Sequence, residues 1–208
     1  MAFGTAGLRA RMGAGYCCMN ELTILQTTQG LVRYLQQHAD ADALRDRGIA
    51  LGYDGRHHSK RFAEVAAAVF LSQGVRVHLF RRLACTPIVP FAVKQLGLCA
   101  GVMVTASHNP KDDNGYKLYW SNGAQIIPPH DAGIAAAIEA NLAPWAADPH
   151  AAYATLDYSP ANALLRCAAQ MQTIIALVIA TIVINHSFVS KNGVNYHLVF
   201  KSTVLLNP

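Results

Sequence analysis

The sequence predicts an α/β fold built on a mixed, mostly parallel sheet. Three observations predict it: helix-like and strand-like segments alternate between about residues 20 and 145, the strand-like runs are short and apolar, and one Asn-Gly pair marks a hairpin. A chain of 208 residues suits one domain with an appendage. The first helix is predicted over residues 23–38, where apolar side chains recur at helical spacing after Asn20, a suitable N-cap.

A βαβ unit follows this helix. Residues 48–53 and 74–80 have the apolar, β-prone composition of buried strands. The alanine-rich stretch between them predicts a helix over residues 59–72, with Ser59 as its cap. Parallel strands joined in this way are connected by a right-handed crossover.

The second half of the pattern contains a short helix, a central strand and the hairpin. Pro87 can open a helix that runs to Leu96, and residues 98–104 then predict a strand buried on both faces. Asn122-Gly123 is a strong signal for a two-residue hairpin turn. The strands that flank this turn and the helix that follows are predicted over residues 116–121, 124–127 and 131–141.

Composition restricts the class of ligand. The 17 Lys and Arg residues outnumber 12 acidic residues, giving a net charge of +5, but the positive charges are scattered. This favours small anionic ligands over nucleic acid.

The 5 cysteines are odd in number and show no Cys-x-x-Cys spacing, which favours a reduced, cytoplasmic protein without a zinc site. The first residues lack the pattern of a signal peptide, so we expect none.

The character of the chain changes after Trp145. We therefore predict an α/β domain over residues 1–147 and a linker with an unrelated apolar tail over residues 148–208. The most apolar part of the tail, residues 174–184, is shorter than the roughly 20 residues that a membrane-spanning helix needs. We expect no membrane partner, with a membrane-tethered module as an alternative.

A polar motif follows the central strand at residues 105–110, Thr-Ala-Ser-His-Asn-Pro. Ser107 would lie at the carboxyl edge of the sheet, where open α/β sheets bind ligands. Phosphoryl transfer needs an acceptor oxygen among cations. Ser107 can be the acceptor, Lys117 and Arg9 can supply positive charge, and His108 can donate a hydrogen bond. Lys117 could also act as a general acid/base. The alternative is an ordinary turn, since Ser, Asn and Pro all favour turns.

Four segments together resemble a known family. Residues 3–9, 53–56, 105–110 and 114–117 are similar in order and spacing to the first domain of the α-D-phosphohexomutases. The continuation through residues 119–127 resembles the phosphoglucomutase-2/phosphopentomutase branch. The resemblance extends from about residue 2 to about residue 147.

The resemblance implies a three-layer αβα sandwich and a specific chemistry. Ser107 matches the family's phosphoserine, which exchanges a phosphate with a sugar monophosphate through a bisphosphate intermediate. Lys117 and His108 would belong to the catalytic set, with Lys117 as general acid/base. Arg9 and Arg56 would bind phosphate. Sugar phosphates are the implied partners, and glucose 1,6-bisphosphate is the implied activator.

The resemblance also implies a magnesium ion, which bridges the phosphoserine and an aspartate-rich loop of the second domain. This chain has no Asp-x-Asp-x-Asp run, so Ser107 would be the only protein ligand. The third and fourth domains, which hold the sugar-recognition and phosphate-binding loops, are also unmatched. We therefore expect a first domain that lacks turnover alone, with a non-catalytic fragment that binds anions or a partner as an alternative. The choice between hexose and pentose phosphates stays open.

Overall fold

The computed structural model describes residues 3–4, 7–145 and, by their backbone, 165–167. All of them fall within Met1–Ala168, the first of the two units into which the chain divides. The described elements, in chain order, are β1 (Leu8–Arg11), α1 (Glu21–His38), α2 (Ala41–Asp46), β2 (Ile49–Tyr53), α3 (Ser59–Ser72), β3 (Val77–Leu79), α4 (Ile88–Gln95), β4 (Ala100–Val104), β5 (Asp113–Trp120), α5 (His130–Glu139) and β6 (Leu165–Cys167).

The strands form a single sheet in the order β1-β5-β4-β2-β3-β6. The pairs β4–β2, β2–β3 and β3–β6 are parallel. β5 is antiparallel to both of its neighbours, β4 and β1. The predicted mixed, mostly parallel sheet is therefore confirmed, and its antiparallel part lies at the β1 end.

Helices cover both faces of this sheet and make a three-layer sandwich, as predicted. On one face α1, α3 and α5 pack over the alternating side chains that include Leu51, Val102 and Leu118. On the other face α4 lies against β2 and β4. That approach depends on Gly52 and Gly101, because a Cβ at either position would come within 2.5 Å of a valine methyl of α4. The two glycines thus allow the helix to pack closely.

The start of α1 agrees with the sequence. Asn20 accepts a hydrogen bond from the Thr23 N–H, and the Thr23 hydroxyl oxygen accepts one from the Asn20 N–H, a complete capping box. The Asn20 amide also donates to the carbonyls of Gly13 and Gly15. One residue therefore fixes both the helix start and the loop before it.

The start of α3 differs from the sequence prediction. Ser59 is the first helical residue, and the N-cap is His58, a left-handed residue whose side chain makes no capping bond. The Ser59 hydroxyl instead donates to Asp54 at 2.7 Å. The serine is therefore used to fix the loop after β2.

The predicted hairpin is also partly wrong. Asn122-Gly123 does form a tight turn, closed by a bond from the Trp120 N–H to the Ala124 carbonyl. The segment beyond it contributes only an isolated bridge, between Tyr119 and Gln125, and is no strand. β5 also begins three residues earlier than predicted, and it pairs with β1, an edge strand that the sequence analysis missed together with α2.

Only a short part of the predicted tail is described. Leu165–Cys167 form β6, which extends the sheet beyond β3. The apolar segment at residues 174–184 lies outside the described residues. The domain boundary at residue 147 therefore stays a prediction. None of the helices in the described part of the chain has both the length and the apolar composition that spanning a bilayer requires.

Replacing Gly30 with alanine is expected to destabilise the fold, although alanine favours helices by about 1 kcal/mol over glycine. A Cβ at Gly30 in α1 would lie 2.4 Å from the Ile138 Cα, so α5 would have to shift. We expect the free energy of unfolding in urea to fall by about 1–3 kcal/mol, the usual cost of overpacking.

The matched control is Gln37→Ala on the exposed side of the same helix, which we expect to change that free energy by less than about 0.5 kcal/mol. A Gly30→Ala variant that equals or exceeds the unsubstituted chain in stability would contradict the close packing of α1 on α5.

Candidate active site

The loop that follows β4 presents Ser107 at the carboxyl edge of the parallel strands. The backbone there is left-handed, with φ +56° at Ser107, a conformation that residues other than glycine seldom adopt. The Ser107 N–H donates to the Thr105 hydroxyl at 2.8 Å. The Ser107 side chain is exposed, so its hydroxyl is open to a ligand.

Lys117 reaches this hydroxyl from the neighbouring strand. Its ammonium nitrogen, Nζ, donates to Ser107 Oγ at 2.5 Å. β5 runs antiparallel to β4, with Met103 opposite Lys117, so the two side chains meet although ten residues separate them. On the opposite face of β5, Tyr116 is buried and its hydroxyl bonds to Thr28. Alternation along the strand therefore puts the core residue and the lysine on opposite sides.

The surroundings of Lys117 disfavour its charged form. Partial burial lowers the pKa of the Lys117 ammonium, the positive charge of Arg9 lowers it further, and Asp54 acts in the opposite direction. Arg9 comes from the edge strand β1, and its guanidinium donates to the Asn109 side chain at 3.1 Å. Arg9 thus brings a second positive charge into contact with the loop of residues 105–112, which we call the serine loop.

Asp54, at the end of β2, is bonded to several parts of the site. Its carboxylate accepts hydrogen bonds from the Thr105 hydroxyl at 2.5 Å, the Ser59 hydroxyl at 2.7 Å and the Arg56 N–H at 3.1 Å. Thr105 therefore links this carboxylate to the backbone of Ser107. Asp54 lies in the segment 53–56 that carries the family resemblance, but no sequence pattern indicated a role for it or for Thr105.

Arg56 lies beneath the serine loop. Its Nη2 donates to the carbonyls of Ser107 at 2.6 Å and Asn109 at 2.7 Å. Its Nη1 donates to the carbonyls of Pro110 at 2.7 Å and Asp113 at 3.2 Å. The guanidinium is thus bonded to three carbonyls of the loop and to the carbonyl of the first residue of β5.

His108 is the one candidate residue that the structure leaves apart from this network. It is exposed in the loop, and it has no hydrogen bond or ion pair with another described residue. The structure therefore brings together Ser107, Lys117, Arg9 and Arg56, while the role of His108 stays a prediction.

Comparison with known proteins identifies the family. Residues 1–144 match the family described as phosphoglucomutase/phosphomannomutase, alpha/beta/alpha domain I. The chain belongs to the phosphoglucomutase/phosphomannomutase family. The predicted membership, as a first domain, is confirmed.

Relatives with curated descriptions match this family domain. The chain is similar to phosphopentomutase of Homo sapiens, with 59% identity over 152 residues, which are 70% of this chain and 24% of the relative. It is similar to phosphoribomutase of Saccharomyces cerevisiae, with 52% identity over 147 residues, 69% of this chain and 23% of the relative. Glucose 1,6-bisphosphate synthase of Homo sapiens is 51% identical over 151 residues, 70% of this chain and 24% of the relative. The chain thus spans about a quarter of the length of these relatives.

A solved structure agrees with the fold. A phosphoglucomutase/phosphomannomutase family protein from Burkholderia thailandensis superposes with a TM-score of 0.53 at 22% identity, covering 66% of this chain and 30% of that protein. The likeness therefore lies in the α/β/α architecture.

The described residues do not form a metal site of the kind that the family resemblance implies. No group of three or more His, Cys, Asp or Glu side chains in the described part of the chain is placed to hold a metal ion. The Asp54 carboxylate, which lies beside the serine loop, is already bonded to Thr105, Ser59 and Arg56. Magnesium prefers oxygen ligands such as carboxylates, and the described residues bring no group of three metal-binding side chains together.

Lys117 is expected to titrate below the ordinary lysine value of 10.5. Only the neutral amine reacts with acetic anhydride, so its acetylation rate should rise with pH and reach half its maximum below 10.5. Peptide mass spectrometry of the chain after brief acetylation at a series of pH values measures this midpoint.

The variant Arg9→Gln provides the control, because removing a cation that lowers the Lys117 pKa should move the midpoint upward. A midpoint at or above 10.5, or one that Arg9→Gln leaves in place, would contradict the electrostatics described for this site.

Proposed function

We propose that this chain contains the phosphate-accepting domain of a phosphotransferase of the phosphoglucomutase/phosphopentomutase type, with Ser107 as acceptor. The observation that carries the proposal is the 2.5 Å contact between Lys117 Nζ and Ser107 Oγ, at the exposed carboxyl edge of the sheet. A hydroxyl beside an amine of lowered pKa has a base within reach of its proton.

In the proposed step, Ser107 Oγ forms a bond to the phosphorus of a sugar phosphate. The bond between that phosphorus and the sugar oxygen breaks. The hydroxyl proton passes to the neutral amine of Lys117, which returns it to the departing sugar oxygen. The products are phosphoserine and a sugar hydroxyl, and the reverse step phosphorylates the sugar again.

Positive charge supports this transfer. Phosphoryl transfer spreads negative charge over the phosphate oxygens, so fixed cations stabilise its transition state. Arg9 lies close enough to Lys117 to lower its pKa, and we propose that Arg9 binds the phosphate. His108, exposed in the same loop, is proposed to donate a hydrogen bond to it.

The full cycle is proposed to interconvert a sugar 1-phosphate with the corresponding 6- or 5-phosphate through a bisphosphate. The relatives named phosphopentomutase, phosphoribomutase and glucose 1,6-bisphosphate synthase support this class of substrate. Those relatives are about four times as long as the matched region. We therefore propose that this domain accepts phosphate but lacks mutase turnover alone, and that magnesium and glucose 1,6-bisphosphate act together with the further domains found in the family, in the cytoplasm.

A second candidate function is anion binding without chemistry. An open cleft of about 660 Å³ adjoins the site. Its charged and aromatic lining consists of the cations Arg56, Lys60, Arg81 and Arg82, the carboxylate Asp54 and the ring of Tyr53. Such a basic cleft can hold a sugar phosphate or another anion that never reaches Ser107.

Phosphate mass mapping after incubation with glucose 1,6-bisphosphate tests the proposal. We expect one phosphate on the peptide that contains Ser107, and no conversion of glucose 1-phosphate or ribose 1-phosphate in a coupled assay. Saturable binding of the bisphosphate without any label would favour the anion-binding alternative. A label on another residue would contradict the assignment of Ser107.

A further inference from the structure

The Arg56 side chain has no donor left for an incoming anion. A guanidinium has five N–H groups. Four of them are directed to carbonyls of the loop and of the first β5 residue at 2.6–3.2 Å, and Nε lies 3.4 Å from an Asp54 carboxylate oxygen. The side chain is also only 14% exposed. A phosphate could therefore bind Arg56 only by displacing part of the loop.

The loop needs such support because its central residue is in an unfavourable conformation. Ser107 has φ +56°, in the left-handed region that L side chains disfavour. A residue is held in that region only where the surrounding structure fixes it. The carbonyls that Arg56 binds belong to Ser107 itself and to residues on the C-terminal side of it.

The N-terminal side of Ser107 is fixed by the same network. The Thr105 hydroxyl accepts the Ser107 N–H and donates to Asp54. Asp54 in turn faces Arg56 Nε. The Ser107 backbone is thus bonded on its N–H side through Thr105 and Asp54, and on its carbonyl side directly to Arg56.

We propose that Arg56 is a positioning residue, which holds the loop so that the Ser107 hydroxyl stays at Lys117, and that it does not bind the phosphate directly. This replaces the phosphate-binding role that the family resemblance implied for Arg56. The effect on transfer rests on the proposed function, whereas the effect on the loop does not.

Two substitutions separate positioning from anion binding. Arg56→Met removes the charge, and Arg56→Lys keeps the charge but cannot reach four carbonyls with one ammonium group. If Arg56 positions the loop, both variants should show faster amide hydrogen exchange in the loop peptide that follows β4. Both should also lose about a hundredfold in the maximal rate of Ser107 labelling by glucose 1,6-bisphosphate, the scale expected for a misplaced reacting group.

The dependence on bisphosphate concentration provides the decisive comparison. Positioning predicts that the half-saturating concentration stays within about threefold of that of the unsubstituted chain, because the binding groups remain. Two results together would overturn the inference. Arg56→Lys would keep the maximal rate and normal loop exchange, and Arg56→Met would show a raised half-saturating concentration. Lys60→Met, an exposed cation of the neighbouring cleft, is the control and should leave loop exchange unchanged.

One further variant keeps the inference testable. Thr105→Val removes the link between Asp54 and the Ser107 N–H with almost no change of shape, and it should loosen the loop even if the Arg56 variants do not fold. Normal loop exchange in Thr105→Val would contradict the part of the inference in which Asp54 and Thr105 hold the N–H side of Ser107. If the unsubstituted chain takes no label, the proposed function fails for this chain, while hydrogen exchange still decides whether Arg56 holds the loop.

Discussion

Replacing Ser107 with alanine is expected to abolish labelling by glucose 1,6-bisphosphate. The Ser107 hydroxyl is the group that Lys117 Nζ contacts, at 2.5 Å, and alanine leaves no oxygen to attack the phosphorus. Mass measurement of the intact chain during incubation gives the result directly. We expect one phosphate on the unsubstituted chain and none on Ser107→Ala at any time.

The fold should tolerate this change. Because the Ser107 side chain is exposed, we expect the free energy of unfolding in urea to change by less than about 0.5 kcal/mol. Ser121→Ala, at an exposed turn position, is the matched control and should be labelled like the unsubstituted chain. Phosphate on Ser107→Ala, at the rate of that control, would show that another residue is the acceptor.

The elements that the sequence predicted well are those whose signals are local. The α1 helix begins with an asparagine cap, and β2 and β4 are short runs of apolar residues buried on every side. β1 has no such signal: Leu8–Arg11 contains two arginines, and it becomes a strand only because β5 offers a free edge. Pairing with a distant segment is thus what single-sequence patterns miss.

The residues of the candidate site also divide into those with a local sequence signal and those that depend on distant contacts. The proximity of Ser107 and Lys117 could be predicted because they lie close together in the sequence and because β4 and β5 are neighbours in the chain. The hydrogen bonds of Arg56 could not be predicted, since its partners are main-chain carbonyls, which every residue has and no sequence pattern marks. An arginine near a proposed phosphate site suggests a phosphate ligand. Only the folded structure reveals that the N–H groups of Arg56 donate to main-chain carbonyls.

The order of the strands explains how three separate segments meet at Ser107. β4 is central, so its carboxyl end is flanked by β2, which delivers Asp54 and Arg56, and by β5, which delivers Lys117. Arg9 arrives from β1 on the far side of β5. The antiparallel placement of β5 is therefore what brings a lysine of lowered pKa to the edge where parallel strands present their loops.

Replacing Lys117 with methionine is expected to slow Ser107 labelling by about 10²–10⁴-fold, the usual contribution of a positioned general acid or base. Methionine is unbranched like lysine, so it removes the amine at Ser107 Oγ with little change in packing. The rate of the unsubstituted chain should rise with pH until Lys117 is neutral, below the ordinary value of 10.5. This rise should be missing from Lys117→Met. Labelling rates at a series of pH values measure both effects.

Lys117→Arg distinguishes proton transfer from charge. Arginine keeps the positive charge but cannot lose its proton in a protein, so we expect a rate close to that of Lys117→Met. Lys111→Met removes an exposed cation beside Ser107 and should keep most of the rate and its rise with pH. A Lys117→Arg variant that transfers phosphate at nearly the full rate would mean that Lys117 stabilises negative charge and moves no proton. In that case the lowered pKa of Lys117 would follow from its partial burial and from Arg9, with no part in the transfer.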